Sequence, residues 1–132
     1  MTNVSSEKTD DDSYKIAHKQ LIDTVSRLQR RNTHDFLDGL LTESETIMLV
    51  KRFAAAVMFQ KHYSTYKVSR TLGISISTAQ RIYSQYKIGN FDKLLNCVTK
   101  KDKNELVSLL EDFMLSRVNY KARLRLAKRS ND

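Results

Sequence analysis

The basic side chains between residues 64 and 90 could hold the phosphate backbone of duplex DNA. This window contains four basic residues and no acidic one, an imbalance typical of a surface that meets phosphates. The four residues are Lys67, Arg70, Arg81 and Lys87. Ammonium and guanidinium groups bind phosphate oxygens whatever the base sequence, so we expect these four to position the protein on DNA.

A second set of side chains in the same window could read base edges. With Ala79 and Ile82 facing inward on a helix, the 3.6-residue period turns the opposite face outward. That face consists of Ile76, Ser77, Gln80 and Ser84. A glutamine can pair with adenine through two hydrogen bonds, and an isoleucine can contact a thymine methyl group. We expect these four residues to contact bases in the major groove.

Local signals predict a helix-turn-helix over residues 64–87 that would position both sets. Ser64 and Ser75 are typical N-caps, and Gly73 tolerates the positive φ that a tight turn between the helices needs. The second helix, residues 76–87, would be the recognition helix, with Gly89 as its stop signal. The alternative is a simple αα-hairpin with a solvated polar face.

The segments before this window also show helical periodicity. We predict a first helix over residues 14–31, with Ser13 as its N-cap. Thr33 would cap a short second helix over residues 34–41. Because the chain has no proline and no alternating apolar pattern, we predict an all-α, multi-helix fold.

Two further helices complete the prediction. Thr42 and Glu45 have the spacing of a capping box, which predicts a long, apolar core helix over residues 43–61. After a short helix near Leu94, a long C-terminal helix is expected over residues 102–128. Its apolar stripe favours packing in the core or a dimer contact.

The C-terminal extension, residues 101–132, has a basic end. Between residues 117 and 129 it carries six basic side chains and no acidic one: Arg117, Lys121, Arg123, Arg125, Lys128 and Arg129. These could add non-specific affinity for DNA, or they could be a solvated helix end that suits the helix dipole. A helix lying on a membrane surface is a third alternative.

Composition bounds the function classes. The 132 residues carry a net charge of +8 with a pI near 9.7, which favours a polyanionic partner. Residues 1–12 are acidic and have few apolar side chains, so we predict a disordered tail there. One cysteine and three scattered histidines predict neither a disulfide nor a metal site. No catalytic motif, signal peptide or membrane span is apparent, so we expect a cytoplasmic, nucleoid-associated protein that is not an enzyme.

Several stretches resemble the Trp repressor family. They are FLDGLLTESE at residues 36–45, Arg52, and residues 68–81 with Leu-Gly at 72–73 and STAQR at 77–81. The likeness covers roughly residues 13–95, within a predicted DNA-binding domain over residues 13–100. It implies an intertwined homodimer of six-helix subunits, in which the fourth and fifth helices read a near-palindromic operator.

The resemblance also implies an effector pocket, but it is only partial. Thr42, Arg52 and Arg81 match positions of the tryptophan pocket in that family. Ile82 stands where tryptophan-responsive members have a glycine, and Gln85 stands where they have a small hydroxyl residue. Tryptophan is therefore disfavoured as a co-repressor, and Arg52 could equally form a surface ion pair.

Together these observations predict a sequence-specific, double-stranded DNA-binding transcriptional regulator of the repressor type. One alternative keeps the DNA-reading helix but assigns it to a replication or recombination protein. Another is a basic helical module that binds an acidic protein.

Overall fold

The computed structural model describes residues 11–131, apart from the side chains of residues 118, 119, 121–123 and 129–131. Residues 1–10 of the predicted acidic tail therefore lie outside the described residues. Three of the predicted basic side chains of the C-terminal extension also lie outside them: Lys121, Arg123 and Arg129.

Every regular element in the described range is an α-helix, so the all-α prediction is confirmed. The helices are α1 (Asp12–Ser26), α2 (Arg30–Leu40), α3 (Glu43–Gln60), α4 (Thr65–Leu72), α5 (Ile76–Lys87), α6 (Asp92–Asn96) and α7 (Lys100–Asn131). The chain divides into two compact units, Met1–Thr46 and Ile47–Asp132.

The start and the end of α1 both differ from the prediction. Asp11, not Ser13, is the N-cap, and its carboxylate accepts hydrogen bonds from the amide of Ser13 at 3.0 Å and from its hydroxyl. These two bonds lower the pKa of Asp11. The helix ends at Ser26 rather than near residue 31. Asp11 and Asp12 thus belong to the helix start and not to a tail.

The predicted cap of α2 is wrong. Thr33 lies inside the helix, where its hydroxyl donates to the Gln29 carbonyl oxygen at 3.0 Å. The helix begins one turn earlier, at Arg30, and Gln29 occupies the N-cap position without a side-chain cap bond. A threonine hydroxyl that bonds to the carbonyl four residues back is compatible with a helix interior.

The capping box before α3 is confirmed. The Thr42 amide donates to a Glu45 carboxylate oxygen at 2.9 Å, and the Glu45 amide donates to the Thr42 hydroxyl at 3.2 Å. The hydrogen bonds from Thr42 lower the pKa of Glu45. Two orphan amides of the helix start are thereby satisfied.

The core of the second unit is built around the second half of α3. Six consecutive residues, Ala54–Phe59, are buried, so the helix is enclosed on all sides there. The other members of the core are Val68, Ile82, Phe91 and Leu95, which come from or adjoin α4, α5 and α6. The predicted central core helix is confirmed for its second half, whereas residues 47–50, which the prediction also placed in it, are exposed.

The long helix α7 belongs to this core at its N-terminal end. Leu106, Val107 and Leu110 pack against the buried cluster, and Thr99 caps the helix by accepting from the Asp102 amide at 3.1 Å. The helix is longer at both ends than predicted. The first turns of the C-terminal extension are therefore part of the packed unit.

The first unit buries no residue in α1 or α2. Its exposed large apolar side chains in these helices are Tyr14, Ile16, Leu21, Ile22, Val25, Leu37 and Leu40. The segment that opens the second unit, residues 47–50, is exposed as well. A contiguous set of exposed apolar side chains normally marks an interaction site.

Candidate nucleic-acid interface

Both helices of the predicted DNA-reading motif begin at the predicted caps. The Ser64 hydroxyl accepts from the Lys67 amide at 3.1 Å, and the Ser75 hydroxyl accepts from the Thr78 amide at 3.0 Å. Each bond occupies an amide that has no partner within the helix. Two short helices of 8 and 12 residues therefore start at sharply defined positions.

The turn between α4 and α5 is held by hydrogen bonds that involve Ser69 and Lys51. Gly73 adopts φ +65°, a left-handed conformation that costs glycine no steric energy. The Ser69 hydroxyl donates to the Ile74 carbonyl oxygen at 2.6 Å, and the Ile74 amide donates to the Ser69 carbonyl oxygen at 3.2 Å. From α3, the Lys51 ammonium group donates to the Gly73 carbonyl oxygen at 3.3 Å. The turn is thus bonded to α4 through Ser69 and to α3 through Lys51.

The inner faces of the α4 and α5 pair are buried as predicted. Val68 and Ala79 are 0% exposed, and Ile82 is 7% exposed. Ser69 is buried too, with its hydroxyl satisfied by the turn. Since Ala79 and Ile82 fix the rotation of α5 about its axis, they determine which residues face solvent.

The opposite face of α5 is exposed, and we call it the outer face. It consists of Ile76, Ser77, Gln80 and Ser84. Two of its hydroxyls already make local contacts: the Ser77 oxygen lies 3.1 Å from the Ser75 oxygen, and the Ser84 hydroxyl donates to the Gln80 carbonyl oxygen at 3.0 Å. The Gln80 side chain and the Ile76 side chain remain accessible to a partner.

The four predicted phosphate contacts are exposed. Arg70 lies over the Tyr66 ring at 5.9 Å, and Lys87 lies over the Tyr83 ring at 6.0 Å. The Arg81 guanidinium donates to the Thr78 hydroxyl at 3.3 Å. Their charges lie along both helices of the pair, on a surface without a carboxylate between residues 64 and 90.

Two of the three predicted effector residues line one pocket of about 130 Å³, which we call the arginine pocket. Its lining residues are Met48, Lys51, Arg52, Ile74, Thr78, Arg81, Ile82 and Gln85. Ile82 is at the same time part of the buried core. Thr42 belongs to the first unit, where its hydroxyl is bonded to the Glu45 amide.

A second and larger opening was not predicted. It has a volume of about 500 Å³, and we call it the aromatic cleft. Its lining residues are Phe59, His62, Tyr63, Ser64, Thr65, Tyr83, Tyr86 and Lys87. The spacing of Tyr83 and Tyr86 on a helix is a signal for a shared aromatic face, but Phe59 comes from a distant part of the sequence.

The helix α7 is fastened to the end of α3 by two side-chain hydrogen bonds that sequence patterns did not indicate. The Tyr63 hydroxyl donates to the Glu111 carboxylate, and the Lys61 ammonium group donates to the Asn104 side-chain oxygen. Burial, followed by the bond and charge of Glu111, raises the pKa of Tyr63 to about 12.

Comparison of the chain with protein families, with curated proteins and with solved structures finds no match. In the part of the chain that the structure describes, no helix combines the length and the apolar character needed to cross a membrane.

Replacing Gly73 with alanine should destabilise the protein. A Cβ at this position meets no atom within 4 Å, so the cost is the left-handed backbone alone, about 1 kcal/mol. Gly39 is the matched control, because it also has open space but lies inside α2. There, alanine should stabilise by about 0.5–1 kcal/mol. Urea denaturation of the full chain at one protein concentration measures both. Equal effects at the two positions would contradict the assigned role of Gly73.

Proposed function

We propose that this protein is a sequence-specific, double-stranded DNA-binding transcriptional regulator of the repressor type. The observation that carries the proposal is the outer face of α5. It is exposed, uncharged and able to donate and accept hydrogen bonds, while Ala79 and Ile82 anchor the opposite face. A helix of 12 residues that is supported from behind suits insertion into the major groove.

The charges around the outer face support the same proposal. Lys67 and Arg70 on α4, together with Arg81 and Lys87 on α5, flank it with cations and no acidic residue. In a helix-turn-helix complex, the first helix crosses the phosphate backbone while the second reads bases. The basic residues of α4 and the uncharged outer face of α5 match these two roles.

We further propose that the protein acts as a homodimer through its exposed apolar side chains. Neither α1 nor α2 buries a residue, although both carry apolar side chains at helical spacing. Pairing with a second copy would bury this surface, and two-fold symmetry would present two outer faces to a near-palindromic site. The intertwined arrangement of the Trp repressor family, which the sequence resembles, would meet both requirements.

Replacing Gln80 with alanine should reduce base discrimination. Loss of a bidentate contact should cost about 1–3 kcal/mol on the preferred site and little on random DNA. The preferred site is first selected from random duplexes, and affinities are then measured by fluorescence anisotropy. Gln85→Ala is the control on the same helix, since Gln85 lines the arginine pocket rather than the outer face. Equal losses on both DNAs would refute base reading by Gln80.

Replacing Lys67 or Arg81 with alanine should weaken binding to all sequences alike. Each lost phosphate contact should flatten the slope of log affinity against log salt by about one unit. The control is Lys93→Ala, which removes an exposed lysine of α6. A wild-type protein without measurable DNA affinity at about 50 mM salt would favour the protein-interaction alternative instead. An unchanged slope in one variant would remove that residue from the interface.

The dimer predicts a mass near twice 15.3 kDa in sedimentation equilibrium. Ile16→Glu should weaken association strongly, because it places a charge on the apolar surface of α1, where Ile16 is 66% exposed. The control is Ile88→Glu, at an isoleucine 76% exposed just after α5. A monomeric wild-type protein at micromolar concentration would overturn the dimer. Equal effects of the two variants would exclude α1 as the contact.

A further inference from the structure

The aromatic cleft lies where three helices of the second unit meet: the end of α3, the start of α4 and the end of α5. Its volume of about 500 Å³ falls within the range of small-molecule sites. Phe59, 2% exposed, forms its buried floor, with ring centroids 5.1 Å from Tyr83 and 6.1 Å from Tyr86. The opening is therefore a preformed feature of a well-packed region.

The walls of the cleft offer flat apolar surface to a ligand. Tyr83 is 37% exposed and Tyr86 is half-buried, so both rings are partly accessible, with Lys87 lying over the Tyr83 ring at 6.0 Å. Their planes are 31° apart, with centroids at 6.3 Å. Partly exposed aromatic rings held in place by a buried neighbour are good stacking surfaces for a planar ring.

The polar groups of the cleft favour an anion. Its lining includes the Lys87 ammonium group, the His62 imidazole and the hydroxyls of Ser64 and Thr65, and it includes no carboxylate. Ser64 is the N-cap of α4 and Thr65 is its first residue, so the positive end of that helix borders the cleft. A negative group would thus find donors and a favourable potential next to the aromatic walls.

His62 lines the cleft in a backbone conformation that is unfavourable for a residue with a Cβ. It adopts φ +70°, the left-handed position at a helix end that glycine usually occupies. The His62 amide donates to the Phe59 carbonyl oxygen at 2.9 Å, and the Tyr63 amide donates to the Met58 carbonyl oxygen at 3.1 Å. This is the Schellman pattern that closes α3. Glycine would adopt this backbone without the steric cost that the Cβ of His62 brings.

We propose that the aromatic cleft binds a small molecule that combines a planar ring with an anionic group, of the size and chemistry of a nucleoside monophosphate. The ring stacks against Tyr83 and Tyr86. The anionic group meets Lys87, His62 and the start of α4. This site lies outside the outer face and the arginine pocket, and it shares Lys87 with the proposed phosphate contacts. Binding of a small molecule there can be tested without DNA.

Adenosine 5′-monophosphate is the probe, titrated into the isotope-labelled full chain and followed by amide and side-chain NMR shifts. We expect saturable binding with a Kd below about 1 mM, and shifts centred on residues 59–66 and 83–87. Adenosine, which lacks the anion, and inorganic phosphate, which lacks the ring, should each bind at least about tenfold more weakly. Equal binding of phosphate alone, or no binding of the nucleotide, would overturn the proposal.

Two variants separate recognition from folding. Tyr86→Leu removes a stacking surface but keeps apolar volume, and should weaken binding by roughly tenfold. Tyr66→Leu is the control, since Tyr66 is exposed and lies outside the cleft. His62→Gly should weaken binding severalfold while the melting temperature stays equal or rises, because glycine relieves the left-handed backbone. Binding that survives Tyr86→Leu but is lost in Arg52→Ala would place the nucleotide in the arginine pocket and refute the proposal.

Discussion

The second unit depends on the burial of one continuous stretch of α3, Ala54–Phe59. A helix buried over six successive residues needs neighbours on every side, and α4, α5, α6 and α7 supply them. The dependence runs both ways. Helices as short as α4 and α5 are marginal alone in water, so Val68 and Ile82 must pack on α3 for the pair to exist. Phe59 is 2% exposed within this shared cluster, so replacing it with alanine would leave a cavity in the core on which α4 and α5 depend.

The candidate interface follows from this packing together with a small set of polar contacts. Burial of Ala79 and Ile82 sets the rotation of α5, while the bond from Ser69 to the Ile74 carbonyl oxygen sets the path of the turn. Lys51 ties the same turn to α3. The hydrogen bonds of the outer face, between Ser77 and Ser75 and from Ser84 to Gln80, are local. The direction in which the outer face points is therefore set by the buried residues Ala79 and Ile82 on the opposite side of α5.

Signals that act over three or four residues made the α4 and α5 pair predictable. Ser64, Gly73 and Ser75 each specify a boundary by a bond or a dihedral angle that depends on nearest neighbours alone. The same reasoning failed at α1, where Asp11 and Ser13 both suit a cap and only the folded backbone decides which carboxylate or hydroxyl reaches an amide. At α2, the Thr33 hydroxyl donates to the Gln29 carbonyl oxygen instead of accepting from an amide later in the chain, and a threonine side chain can do either.

The aromatic cleft could not be predicted in this way, because its floor, Phe59, lies 24 or more positions from its walls, Tyr83 and Tyr86, in the sequence. The helix α5 nevertheless links it to the rest of the site. One face of α5 meets the core through Ala79 and Ile82, one face is exposed, and its last turn lines the cleft. A molecule in the cleft would contact the ends of α3, α4 and α5 together, and binding to the folded state alone stabilises that arrangement. Any occupant would therefore stabilise the packing that orients the outer face, although it touches none of that face's side chains.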